Sequence, residues 1–188
     1  MRAKRLPKPV VISAAVALLA GALILIPTVA TAAPPLCDGK PATIVGTMGN
    51  DELEGTPGDD VIVGLGGDDI IRGKGGNDTI CGFNGDDIMH GGPGDDVMLG
   101  GYGSDWVSYE TATSGVEVNL IQLWAFGENQ GLDEFRSVEN AIGSSWDDHL
   151  EGNLGPNTLI GGPGADLIDG LYRDSNDLRG GDGDDRIL

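Results

Sequence analysis

Aspartate returns every ninth residue at Asp51, Asp60, Asp69, Asp78, Asp87, Asp96 and Asp105, the sixth position of seven units that run without a gap from Gly46 to Ser108. The units read GTMGNDELE, GTPGDDVIV, GLGGDDIIR, GKGGNDTIC, GFNGDDIMH, GGPGDDVML and GGYGSDWVS. Glycine holds the first and fourth positions of each, and the eighth is aliphatic or methionine. A carboxylate beside a glycine-rich turn offers carboxylate and backbone carbonyl oxygens and little else. Such donors suit Ca²⁺, which takes about six to eight oxygens in loose geometry; Mg²⁺ demands a tighter octahedron, and Zn²⁺ would want His or Cys.

The elements that must position these aspartates follow from the same nine residues. Six residues rich in Gly and Asp cannot continue a strand, but they can turn the chain with positive φ. The remaining three form a short strand in which only the eighth position (Leu53, Ile62, Ile71, Ile80, Met89, Met98, Val107) points inward, by strand alternation. Two units make one coil, and coils in parallel register sit about 4.8 Å apart. The carboxylate of Asp69 then lies over that of Asp87. At an effective dielectric near 20, each such pair repels by roughly 3.5 kcal/mol. About five pairs together rival a domain's usual net stability of about 5–15 kcal/mol. The expected fold is all-β: a right-handed parallel β-roll, or β-solenoid, interrupted by a short insertion and held together by several Ca²⁺ ions.

The interruption spans residues 109–142, where Val116, Val118 and Leu120 alternate as in a half-buried strand, while Glu128 to Glu139 gives no clear pattern. The period returns over residues 143–188 as GSSWDDHLE, GNLGPNTLI, GGPGADLID, a ten-residue unit GLYRDSNDLR, and GGDGDDRIL. Asp148, Asp166, Asp177 and Asp185 are its expected ligands. Asn157 stands where one unit should carry aspartate, so fewer or weaker sites are expected here.

The Gly-Gly-x-Gly-x-Asp-x-U-x pattern resembles the calcium-binding repeat of RTX, or haemolysin-type, proteins. Over residues 46 to 188 the chain is similar to the C-terminal β-roll domain of serralysin-type secreted metalloproteases. That likeness rests on Asp105-Trp-Val-Ser-Tyr109, Gly115-Val116, Val118-Asn-Leu120, Asp133, Val138-Glu-Asn140, Gly143-Ser144 and Asp148-His-Leu-Glu-Gly-Asn153. It implies a parallel β-roll with calcium in its turns. The sequence departs from those proteases in lacking the zinc-binding His-Glu-x-x-His domain, and from many RTX proteins in showing no C-terminal export signal, so protease activity does not carry over.

Residues 1–32 read as a secretory signal: basic Arg2, Lys4, Arg5 and Lys8, an apolar run from Val10 to Ile26, then Ala30-Thr31-Ala32 before a cut at Ala33. The alternative is an uncleaved membrane anchor, since the run approaches a minimal span. Cleavage removes four basic residues and no acid, leaving the remainder four charges more negative than the whole chain's −19. Such a chain repels nucleic acid and anionic membrane and attracts cations. Cys37 and Cys81 would meet an oxidising compartment, where two lone cysteines commonly pair; the alternative is two unrelated buried thiols.

The outward positions of alternate units, Val61, Val63, Thr79, Cys81, Val97 and Leu99, form an unexpectedly apolar face. The segment 33–45, pinned by Cys37, could cover it, as could the insertion or another protein. The opposite face carries Arg72, His90 and Ser108 and is expected to face water. His90 and His149, the two histidines, read as solvated repeat residues. No Gly-x-Ser-x-Gly elbow or phosphate-binding Gly-Lys-Ser/Thr loop occurs. The expected protein is secreted, extracellular, calcium-binding and non-catalytic. The alternatives are a calcium-dependent adhesion or matrix component with a cell-surface partner and, behind it, a remnant of or accessory to a hydrolase in which acids such as Glu139 or Asp147 act.

Overall fold

The eighth position of each repeat organises the fold. In the computed structural model, which describes residues 33–171 and 175–188, Leu53, Ile62, Ile71, Ile80, Met89, Met98 and Val107 are fully buried and line one continuous core. The expected signal, residues 1–32, lies outside the described residues.

Every described strand belongs to one of three sheets, and no helix is present among the described residues. A seven-stranded sheet stacks, from the N-terminal end, Glu52–Glu54, Ile70–Arg72, Ile88–His90, Trp106–Ser108, Asn140–Ile142, Thr158–Pro163 and Asp177–Asp182, all parallel. A ten-stranded sheet begins Ile44–Val45, Val61–Gly66, Thr79–Asn84, Val97–Tyr102. The pairings Leu53 with Ile71 with Met89 and Ile62 with Ile80 with Met98 set a coil of two repeats. The described residues thus form an all-β parallel solenoid.

The insertion is woven into the ten-stranded sheet. Val116–Asn119, Trp124–Gly127 and Gly131–Arg136 form an antiparallel triplet. Its last strand pairs in parallel with Val97–Tyr102, and its first with His149–Glu151. Phe135 thereby stacks on Met98 in the core, and Ala141 on Val107 in the other sheet. The stretch Glu128 to Glu139 therefore contributes the rung Gly131–Arg136 to the ten-stranded sheet, and Asn140–Ile142, just after it, supplies the rung of the seven-stranded sheet. His149–Glu151, Leu167–Asp169 and Arg186–Ile187 complete the stack.

A second, smaller cluster lies outside the solenoid, where Cys37 and Ala42 pack on Val63 and Cys81, flanked by Val45, Val61, Leu65 and Leu99. Cys37 is bonded to Cys81. Lys40 donates to the Thr79 hydroxyl at 2.9 Å, and Asp38 pairs with Arg136 at 3.0 Å, tying the segment to repeat and insertion alike. The opposite face departs from expectation: His90 is 7% and Ser108 4% exposed, so neither is solvated, and burial holds the His90 imidazole below its usual pKa, partly offset by Glu110.

The covering segment is joined to the roll by the disulfide, one apolar cluster and a few polar contacts, so its attachment should depend on the covalent link. Replacing Cys37 and Cys81 together by serine is expected to lower the stability of the calcium-loaded protein by about 2–4 kcal/mol, read as a shifted guanidinium midpoint. An unchanged midpoint would show that the segment contributes nothing.

Candidate metal-binding turns

Nine of the sequence-derived aspartates, Asp51, Asp60, Asp69, Asp78, Asp87, Asp96, Asp105, Asp148 and Asp166, are buried at the turns, and Asp185 is half-buried. Asp177 is a correction. Leu178 pairs with the core residue Leu159, which puts Asp177 opposite Thr158 in the seventh position and Asn176 in the sixth. The extra residue of this ten-residue unit lies before Asn176, so Asp177 projects into solvent, where Arg179 binds its carboxylate and holds it below the usual range.

The buried carboxylates are joined in columns. Beyond the first member of each column, Oδ1 accepts the backbone N–H of the equivalent residue one coil earlier: Asp69 from Asp51 at 2.8 Å, Asp87 from Asp69 at 2.9 Å and Asp105 from Asp87 at 3.0 Å on one edge. Asp78 from Asp60 and Asp96 from Asp78, both at 2.8 Å, do the same on the other. After the insertion, Asp166 accepts from Asp148 at 2.9 Å and Asp185 from Asp166 at 3.1 Å. This is why the coils must stay in register: slipping one coil breaks every link of a column.

The second oxygen has no such use. Oδ2 of Asp69, Asp78, Asp87, Asp96, Asp105 and Asp166 is shielded from solvent and makes no hydrogen bond. Each of the six points into the space where the first glycine of its own repeat has no side chain. A Cβ on Gly64 would collide with Asp69 Oδ2 and with the carbonyl oxygen of Gly82, one coil on. Carboxylate and carbonyl oxygens therefore converge with no donor between them. A buried polar atom without a partner is costly, and an oxygen-seeking cation at these points fits both donor types.

Burial is the largest cause of strain on these groups, ahead of the mutual repulsion expected from sequence. It raises Asp69, Asp78 and Asp105 to about 6, Asp87 to about 7 and Asp96 to about 8, with neighbouring aspartates or Glu139 adding and the backbone N–H bonds subtracting. Asp148 and Asp166 are raised by burial as well.

Two column members went unrecognised in the sequence. Asp133 Oδ1 accepts the Asp96 N–H at 3.0 Å, and Glu139 Oε2 accepts the Asp105 N–H at 3.0 Å. Each stands two residues before a core side chain, Phe135 or Ala141, which is the sixth-to-eighth spacing of a repeat stripped of its glycines. Asp133 is raised to about 7 by burial, although the Tyr109 hydroxyl donates to its Oδ2 at 2.7 Å. Glu139 thus serves as a ladder acceptor.

Among the described residues, no three His, Cys, Asp or Glu side chains converge to hold a metal ion by themselves, so a cation at these turns would draw on backbone carbonyls as well as carboxylates. The His90 Nδ1 is buried without a partner, and His149 lies 3.8 Å from Glu117. The profile of the RTX calcium-binding nonapeptide repeat matches four stretches, residues 45–80, 82–110, 142–171 and 173–188, together more than half of the chain. The chain belongs to the RTX calcium-binding repeat family. No curated protein matches it. The RTX repeat accounts for the donor set: glycine carbonyls and aspartate oxygens are what a calcium-binding β-roll requires. The third matched stretch stops short of Asn176, and the fourth includes the displaced Asp177.

Protons and calcium should compete for the unpartnered oxygens of this RTX roll. Folded values of about 6–8 exceed the usual 3.8 of a carboxyl, so the folded form binds more protons. Its proton-linked stability is then full below about pH 4 and is lost as pH rises through 6–8. In calcium-depleted buffer, far-ultraviolet circular dichroism is expected to show more β-structure at pH 5 than at pH 8. With calcium present, affinity should fall over the same descent. A calcium-free spectrum unaffected by pH would contradict the assigned burial of these carboxylates.

Proposed function

We propose that this RTX protein is a secreted, non-catalytic calcium-binding β-roll, unfolded where calcium is scarce and folded when calcium fills its turns outside the cell. The observation that carries the reading is the row of buried, unpartnered Oδ2 atoms at Asp69, Asp78, Asp87, Asp96, Asp105 and Asp166. Bound calcium supplies positive charge to these oxygens; the chain's own residues hold the turns in register and bury the strand side chains. Secretion is supported by the basic and apolar pattern of residues 1–32 and by the Cys37–Cys81 disulfide, a bond that persists in oxidising compartments. A non-catalytic role is supported by the engagement of both cysteines in that bond and by the burial of His90.

The adhesion reading gains a different surface from the one sequence suggested. The face of Val63 and Cys81 is covered by the N-terminal segment. Phe126 and Leu132 of the insertion lie exposed beside Trp124, on the outer side of the ten-stranded sheet. A calcium-dependent partner at a cell surface or matrix would find its apolar contact there.

Titrating calcium into the purified, chelator-treated protein at pH 7.5 tests the reading. The expected result is a cooperative change from a disordered to a β-rich spectrum below millimolar calcium, with no comparable change on adding magnesium. Secondary structure that is complete without calcium would overturn it.

A further inference from the structure

The turns fall into two kinds. In the repeats that begin at Gly64, Gly73, Gly82, Gly91, Gly100, Gly161 and Gly180, the second and fourth residues both have positive φ, even where the second is Leu65 (83°), Lys74 (88°) or Phe83 (79°). All of these except the last, whose Asp185 is only half-buried, carry an aspartate with a buried, unpartnered Oδ2. In the repeats beginning at Gly46, Gly55, Gly143 and Gly152, neither position has positive φ, and the second residue is Thr47, Thr56, Ser144 or Asn153.

There the side chain at the second position closes the turn. The Thr47 hydroxyl donates to Asp51 Oδ2 at 2.8 Å and accepts the Gly49 N–H at 3.2 Å. Thr56 does the same with Asp60 at 2.6 Å and Gly58 at 3.4 Å. The Ser144 N–H reaches Asp148 Oδ2 at 2.6 Å, while its hydroxyl donates to Oδ1 at 2.8 Å and accepts from Trp146 at 3.0 Å. In the fourth, Asn153 donates its N–H to Asn157 at 2.9 Å and accepts from Gly155 at 2.7 Å, with no carboxylate present.

Their places in the fold are not scattered. Asp51 and Asp60 start the two columns at the N-terminal end and have no equivalent earlier repeat. Each later carboxylate lies between its own turn and the rung one coil earlier, because its Oδ1 takes the earlier N–H. For Asp148 and Asn157 that earlier rung belongs to the insertion, which lacks a glycine-rich turn: Asp148 Oδ1 accepts the Val116 N–H at 2.7 Å, and the Asn157 side chain donates to the Glu139 carbonyl at 2.7 Å. Opposite this, at the far end of the Asp60 column, the Tyr109 hydroxyl occupies Asp133 Oδ2.

We infer that second-position donors to Oδ2, the hydroxyls of Thr47 and Thr56 and the backbone N–H of Ser144, take the place of calcium, so that Asp51, Asp60 and Asp148 mark ion-free end turns at the start of each array and calcium enters only at the positive-φ turns that follow them. This rests on the calcium reading above and deepens it, assigning sites within the array. Within the first array, the calcium turns are those of Asp69, Asp78, Asp87, Asp96 and Asp105. The end turns supply folded templates on which the first ion-dependent turns stack.

Counting calcium ions on the purified protein by native mass spectrometry at saturating calcium tests the assignment. Asp78→Asn is expected to lose at least one ion relative to the parent, whereas Asp51→Asn and Asp60→Asn keep the parent count. Thr47→Val and Thr56→Val, which remove only hydroxyls, should also keep the parent count while raising the calcium midpoint of folding. Loss of an ion from Asp60→Asn, or from either valine variant, would overturn the assignment and leave the calcium reading intact. A parent protein that carries no calcium would overturn both.

Discussion

At Asp69, Asp78, Asp87, Asp96, Asp105 and Asp166, one carboxylate oxygen joins coils and the other, without a cation, joins nothing. Oδ1 ties its turn to the coil before it through a backbone N–H; Oδ2 is carried into the same desolvated space by the same rotamer and finds no donor. The two cannot be separated, since keeping the ladder means burying the second oxygen. The narrow core, one side chain per rung from each sheet, offers limited apolar burial to offset that cost. The fold therefore depends on what neutralises a row of buried carboxylates, and the family's calcium is suited to do so.

The remaining features follow from stacking. A solenoid has two ends and an outer surface. Its outer surface is partly closed by the segment bonded through Cys37 to Cys81, which shields the Val63 and Cys81 stripe. Its interior is interrupted by a three-stranded insertion that restores both the core, through Phe135 and Ala141, and the columns, through Asp133 and Glu139. Interruption thus preserves the rung geometry while replacing the glycine-rich turn chemistry.

The period was legible in the sequence because each of its positions has a separate physical duty: glycine where the turn needs space, aspartate at the ladder, an aliphatic residue in the core. The position of Asp177 was misread because a single inserted residue hides register until Leu178 is seen to pair with Leu159. Asp133 and Glu139 escaped because their local sequence keeps the acid-to-core spacing but lacks the glycines. The burial of His90 and Ser108 depends on packing across the outer face, which repeat alternation does not encode. The contrast between Thr56 and Leu65 at one repeat position was present as letters, but its meaning required the backbone angles and the partners of Oδ2.

The backbone amides of Asp51, Asp60, Asp69, Asp78 and Asp87, each donating to the carboxylate one coil on, report most directly on whether the columns exist. Their hydrogen exchange at neutral pH should be the slowest in the protein in millimolar calcium and should become as fast as an unstructured chain in excess chelator. Equal, strong protection in both conditions would contradict the claim that this roll cannot hold its buried carboxylates without a cation.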